Sequence, residues 1–233
     1  MIKYPKTPRL KEVLKEDKLL KSWRKHTVIV SEKLDGANAG ISFSPEGLLI
    51  LQSRGHVLTG GPRERQFELF KQWGHSNMQA LHGAIGSRYV LFGEWLYAKH
   101  KVFYDALPGY FIEYDLYDKE AECFLTTSQR ALILAGLGIP SAPVLFEGVF
   151  GKVNNFMQYV GLSAFKTPKW RDHLESLEGT DDSQWMEGIY IKVEDDQEVV
   201  GRIKFPRPEF EKIRDDDTDW LRRPIVKNLL RQG

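Results

Sequence analysis

The chain has 233 residues, a net charge of +1 and 42% hydrophobic residues, enough to build a sizeable core in one large domain or two small ones. A near-neutral balance excludes a global basic footprint, so any nucleic-acid contact must use a local patch. Cys123 is the only cysteine, which excludes an internal disulfide and points to a reducing, cytoplasmic setting. The first residues, Met1-Ile2-Lys3-Tyr4-Pro5-Lys6, lack an apolar signal core, and the most apolar run, around Ala131 to Pro140, is too short to span a bilayer.

In chain order, Thr7-Pro8 followed by Leu10, Val13, Leu14 and Leu20 reads as one capped amphipathic helix. Thr27-Val28-Ile29-Val30 is a β-branched strand that ends at Ser31-Glu32-Lys33-Leu34-Asp35-Gly36-Ala37-Asn38. Residues Ala39 to Phe43 and Leu48 to Ser53 form a hairpin around Pro45-Glu46-Gly47. Arg63 to Trp73 and Asn77 to Ile85 read as helices, with Phe67, Phe70 and Leu81 inward. Tyr89 to Trp95 and Tyr110 to Tyr117 read as strands, Ser128 to Leu137 as a helix stopped at Gly138, and Pro143 to Val149 as a strand. Val153 to Tyr159 and Lys169 to Leu177 read as helical. Gly188 to Val193 and Val199 to Phe205 pair around a turn, and a tail from Pro206 carries the acidic run Asp215-Asp216-Asp217. Hairpins with helices between them predict an α+β fold with a largely antiparallel sheet.

Lys33 is the residue around which chemistry could be organised. A lysine attacks only after losing its proton, which burial or a neighbouring cation favours. Its attack on the α-phosphorus of a nucleotide would give a covalent lysyl-nucleotide, and Gly36 would let the backbone turn or approach a ligand closely. Lys-x-Asp-Gly alone is weak, since composition produces it by chance in roughly one chain of this length in twenty. Four further spots place charge at strand ends or in apolar strands: Ser53-Arg54-Gly55, Phe92-Gly93-Glu94-Trp95, Glu187-Gly188 and Arg202-Ile203-Lys204. In the last, period-two alternation puts both cations on one face. Each also has an ordinary reading. Arg54 can be a solvated hairpin arginine, Glu94 and Glu187 strand-edge charges, Arg202 and Lys204 the polar face of an edge strand, and Tyr114 core. Lys99-His100-Lys101 forms a basic cluster open to phosphate or to water.

The ordered set resembles the covalent nucleotidyltransferases: Lys-x-Asp-Gly, Ser-Arg-Gly, Phe-Gly-Glu, an aromatic-Asp strand, Glu-Gly and cation-x-Lys. That superfamily comprises ATP-dependent DNA and RNA ligases and mRNA capping guanylyltransferases. The resemblance runs from about Glu32 to Phe210. Asn38, two after the glycine, and Glu32, before the lysine, look like the RNA ligase branch with its phage nick-sealing and RNA-editing ligases. The resemblance implies an antiparallel-sheet nucleotidyltransferase domain, the ATP-grasp-like ligase catalytic fold with flanking helices and no OB domain. It would form a single adenylyltransferase domain over 1–233, with motifs within about 27–210 and a short tail, 211–233. It further implies an ATP-dependent RNA ligase, active in RNA repair, joining 3′-hydroxyl and 5′-phosphate RNA or RNA/DNA ends through lysyl-AMP with Mg²⁺ or Mn²⁺. A DNA ligase and a non-catalytic end-binding module are the alternatives.

By the same resemblance Lys33 takes AMP, and Glu32 and Asn38 line the nucleotide pocket. Arg54 binds ribose or phosphate, Glu94 holds the ribose hydroxyls, and Tyr114, ahead of Phe111, stacks on adenine. Glu187 engages metal or phosphates, and Lys204 with Arg202 contacts the α-phosphate. Arg54, Arg202 and Lys204 would also disfavour protonation of Lys33. Arg202 stands where the family usually has lysine. A short tail implies that Arg222, Arg223, Lys227 and Arg231, a helper protein or self-association assists in holding the ends, unless the tail packs as a helix.

Overall fold

A computed structural model describes residues 1–153, 155–213 and 224–232, without the side chain of Arg63. Arg222, Arg223 and the run Asp215 to Asp217 lie outside the described residues. Among the described residues, nine strands form two antiparallel sheets: β1 (Thr27–Lys33), β2 (Ala37–Phe43), β3 (Leu49–Ser53), β4 (Tyr89–Trp95), β5 (Phe111–Asp118), β6 (Cys123–Phe124), β7 (Val144–Val149), β8 (Gly188–Glu194) and β9 (Val199–Pro206). The smaller sheet runs β7-β1-β8-β9 and the larger β3-β2-β4-β5-β6. The expected α+β class holds, and among the described residues neither sheet closes into a barrel.

Alternation explains the layering. On β1, Val28 and Val30 point to an apolar layer with Ile189, Ile191, Val193 and Ile203, which packs against α1 (Leu10–Val13) and α2 (Asp17–Trp23). On the larger sheet, Ala39, Ile41, Phe43, Leu91 and Trp95 point the other way. They pack beneath α3 (Glu68–Ser76), α4 (Met78–Ile85) and α5 (Thr127–Leu134) with Phe70, Leu81, Ile85 and Leu134. Each sheet thus spends its apolar face on its own helices. The remaining faces are turned to one another, and ion pairs between Asp115 of β5 and Lys192 and Arg202 of β8 and β9 join them. A third apolar cluster, including Leu34, Leu96, Tyr104, Ile112 and Phe165, seals one end of this seam.

Several predicted helices are shorter. The single N-terminal helix is two, because Glu16 leaves the helical region at φ −101°, ψ 72° and lets Val13 and Trp23 both reach the smaller sheet. The helix after Thr126 stops at Leu134, since Ala135 is extended and Gly136 is left-handed at φ 87°. Val153 to Tyr159 and Lys169 to Leu177 hold only 3-10 turns, Phe156–Tyr159 and Trp170–His173. The hairpin between β2 and β3 turns at Gly47, φ 82°. Residues 224–232 hold bridges from Lys227 to Ala98 and from Leu230 to Leu107 and no helix; the tail from 214 to 223 lies outside the described residues.

Candidate active site

A cavity of about 490 Å³ opens between the sheets. Its lining includes Lys33, Asn38, Arg54, Glu94, Tyr114 and Lys204, so residues from β1 to β9 that are far apart in sequence meet here. Lys33 Nζ donates to Glu187 Oε2 at 2.7 Å, and the register sets this contact, because Lys33 pairs with Gly188 across β1 and β8. Asn38 pairs with Glu94 across β2 and β4. Its amide nitrogen donates to the Tyr114 hydroxyl at 2.5 Å, while Asn38 Oδ1 is buried with no partner among the described residues. Gly36 is required by packing more than by a turn, since a Cβ there would lie 2.8 Å from the Trp95 carbonyl and 2.6 Å from Leu96. Its N–H donates to Glu94 Oε1 at 3.2 Å.

The electrostatics are unbalanced. The Glu94 carboxyl is pushed up to about 8, first by burial, then by Glu187 and Asp35 against the pull of Lys33. The Glu187 carboxyl is pushed up to about 7 by burial, with Asp35 adding and Lys33 and Lys204 opposing. Burial works to strip the proton from Lys33, but Glu187, Glu94 and Asp35 together outweigh it and raise its pKa. The expectation that nearby cations free Lys33 is therefore corrected: its nearest charges are carboxylates. Of the two lysines that line the cavity, Lys204 is the one whose pKa falls, through burial and then through Lys33, Arg9 and Arg54.

Two expected pocket residues sit differently. Glu32 belongs to the wall, but alternation turns its side chain away from that of Lys33. Its carboxylate accepts from Ser163 Oγ at 2.5 Å and from Ala164 N at 2.9 Å. Arg202 shares a face with Lys204 yet stays out of the cavity; its Nε donates to Asp115 Oδ2 at 3.3 Å and its guanidinium lies 3.8 Å above the Phe124 ring. Phe111 is core, beside Phe70 and Trp73. The Lys99-His100-Lys101 cluster is tied into the chain: Lys99 Nζ reaches Thr180 and Lys101 Nζ reaches the Ile213 carbonyl.

Other cavity residues escaped the sequence reading. A strap over residues 1–9 crosses the seam and contributes Tyr4, Pro5 and Thr7 to the lining. The Tyr4 hydroxyl donates to Asp115 at 2.5 Å and its ring meets Tyr114 edge-on at 5.3 Å. Nothing periodic marks such a strap. Tyr190, which bonds Tyr4 and Thr7, was within reach, since alternation on β8 puts it on the face opposite Ile189 and Ile191. Gln66 and Phe67 enter from the 3-10 turn Pro62–Phe67.

Among the described residues no group of three or more His, Cys, Asp or Glu side chains is arranged to hold a metal ion, and no helix is long and apolar enough to cross a membrane. Two carboxylates with raised pKa values do face the cavity lysine. That set suits Mg²⁺ or Mn²⁺ better than a caged metal, because Mg²⁺ takes one or two carboxylates and completes its shell with water and phosphate.

Solved structures of the Naegleria gruberi RNA ligase share this fold. A lysine-to-alanine variant with ATP and Mn matches with a TM-score of 0.60 at 15% identity, over 91% of this chain and 58% of that one. A lysine-to-methionine variant with AMP and Mn gives 0.62 at 15% identity, again over 91% and 58%. The enzyme with pyrophosphate gives 0.58 at 16%, over 88% and 56%. The chain thus spans under three fifths of the length of these ligase chains. A search of the curated proteins finds no match. A sequence profile of the RNA ligase family matches residues 26–205, from the residue before β1 almost to the end of β9. A match that takes in both sheets and the cavity between them shows that the chain belongs to the RNA ligase family.

Proposed function

We propose that this chain, as one adenylyltransferase unit, is an ATP-dependent RNA ligase that works through a lysyl-AMP intermediate on Lys33. The observation that carries the reading is Lys33 Nζ inside the inter-sheet cavity, held at 2.7 Å by Glu187 with Lys204 nearby. Lys33 attacks the α-phosphorus of ATP, the bond to the β-phosphate breaks, and pyrophosphate leaves. Glu187, with its pKa near 7, is the adjacent acceptor for the ammonium proton. Lys204 and Arg54 stabilise the charge that spreads over the phosphate oxygens. Glu94 and Glu187 would hold a divalent cation, which supplies charge neutralisation at the carboxylates and phosphates.

Tyr114 offers a ring to the base, and the unpartnered Asn38 Oδ1 suits a donor such as the exocyclic amine of adenine. Glu94 serves the ribose hydroxyls. AMP then passes to a 5′-phosphate end, and a 3′-hydroxyl displaces it. Manganese with ATP or AMP in the Naegleria enzyme supports the nucleotide and metal parts of this reading.

The test is incubation with α-labelled ATP and Mg²⁺ or Mn²⁺, followed by denaturing electrophoresis. A labelled protein band is expected from ATP, not from GTP, and not from Lys33→Ala. Label persisting in Lys33→Ala would remove the central claim. Sealing of nicked duplexes should favour RNA over DNA on the 3′-hydroxyl side, and equal sealing of the all-DNA nick would sink the RNA assignment.

A further inference from the structure

The strap that closes one side of the cavity also runs beside β9. Lys204 N donates to the Pro8 carbonyl at 3.0 Å, and Arg9 forms a parallel bridge with Lys204. Bridged residues in a ladder project their side chains to the same side, so Arg9 and Lys204 leave the bridge together, and Arg9 and Arg54 are both among the charges that act on the Lys204 ammonium. Arg9 is 42% exposed, and its one ion pair among the described residues is with Glu211 on the short helix Pro208–Glu211. Lys204 and Arg54 line the cavity, and neither makes an ion pair among the described residues. Three cations therefore act on one another here, and among the described residues the one carboxylate bound to any of them is Glu211.

We propose that Arg9 is a phosphate-binding residue that completes an anion site with Lys204 and Arg54, and that Glu211 holds its guanidinium until a phosphate displaces it. The ligand chemistry is a multiply charged phosphate. It has two sources in the reaction read above, the β- and γ-phosphates of ATP and the 5′-phosphate of a polynucleotide end; this inference rests on that reading. Arginine suits the task because its planar fork bonds two phosphate oxygens at once, which the lysine ammonium beside it does not. The mutual repulsion that lowers the Lys204 pKa, with Arg9 among its causes, is what a bound anion would relieve. Glu211 has the opposite effect on the two states: it quiets Arg9 in the free protein and competes with phosphate in the bound one.

The experiment measures inorganic pyrophosphate, and separately a 5′-phosphorylated RNA oligonucleotide beside its 5′-hydroxyl twin, binding to the full chain by calorimetry. Neither measurement requires turnover, so a failure of the ligase reading leaves it intact. Arg9→Ala should weaken binding of at least one phosphate source about tenfold, and Arg9→Lys should recover part of that loss. Glu211→Gln should tighten the same ligand about two- to threefold. Weakening confined to pyrophosphate assigns the site to the nucleotide tail. Weakening confined to the 5′-phosphate, with the 5′-hydroxyl oligonucleotide unaffected, assigns it to the RNA end. Binding within twofold of wild type in a folded Arg9→Ala overturns the proposal. So does a same-direction change in Arg9→Ala and Glu211→Gln, because a purely structural ion pair fails alike from either side. Thermal melting of each variant identifies any that has lost the fold; Arg9→Lys, which keeps the ion pair, then decides the matter by its affinity.

Discussion

The two ends of the seam between the sheets hold similar side chains in opposite electrical states. At one end Asp115 is completely enclosed and receives Lys192 Nζ at 3.1 Å, Arg202 Nε at 3.3 Å and the Tyr4 hydroxyl. Burial alone would raise its pKa; Lys192, then Arg202 and Tyr4, outweigh burial and hold it at about 2. At the other end Glu94 and Glu187 stand at about 8 and about 7, with Lys33 between them and cavity on one side. A carboxylate that has all its partners inside the chain belongs to the scaffold. One whose charge remains uncompensated is waiting for something the chain does not supply. The same contrast separates Arg202 from Lys204, two residues apart on one strand.

The largest expected effect strikes the balanced end. Asp115→Ala leaves Lys192 and Arg202 buried without their partner, and such truncations destabilise by about 3–5 kcal/mol. Urea unfolding should show that loss, whereas Lys33→Ala should leave the midpoint near wild type. If Asp115→Ala unfolds no earlier than Lys33→Ala, the distinction between the ends fails.

Acid titration sharpens the same contrast. The folded-state pKa of Asp115 lies below its ordinary value of 3.8, so its stabilisation is present above that value and disappears as pH falls through about 2. The loss amounts to about 2 kcal/mol from this one group. Melting temperatures of wild type and Asp115→Asn between pH 5 and pH 2 should converge as the pH drops. A constant gap would show that the carboxylate was not ionised in the fold.

At the unbalanced end, Glu187→Ala and Lys204→Ala should melt close to wild type and lose adenylylation by at least about tenfold, or roughly 1.4 kcal/mol of barrier. A variant that melts early and stays active would move its residue to the scaffold. The smallest effect concerns the tail. Lys227 lies 5.6 Å from the Tyr97 ring centroid and bridges to Ala98, and the Arg231 backbone N–H donates to Leu107. Replacing both by alanine should change the log–log salt slope of duplex binding by less than about 2, given about 0.9 per neutralised phosphate. A larger change would make this segment a principal grip.

Strand patterns carried most of the positional information. Alternation and turn residues placed β1, β4, β8 and β9 within about three residues, whereas the family resemblance, not the charge pattern, grouped Lys33, Glu94, Glu187 and Lys204. Where the reading failed, the missing quantity was depth. Period two says which face Arg202 occupies, and it cannot say that the opposite sheet covers that face before the cavity begins. For Glu32 the same rule, applied to its neighbour Lys33, would have turned its carboxylate away. The strap was illegible for another reason: Tyr4 is held by a socket of Phe92, Tyr114 and Phe124, contributed by three separate parts of the chain. Helices were overextended wherever apolar spacing continued past a backbone change such as that at Ala135.

The polar seam also affects how the molecule comes apart. Because each sheet keeps most of its hydrocarbon against its own helices, separating the sheets would wet many charges and hydroxyls, together with Tyr4 and its aromatic neighbours and the apolar cluster around Leu34, Leu96 and Ile112 at one end. Such an opening has a smaller heat-capacity change and a shallower response to denaturant than unfolding of the whole chain, since both scale with the surface newly exposed. It is governed instead by ionic strength and by anything that reorders the hydrogen bonds across the seam. The two halves are thus two oil-filled shells joined along a polar suture.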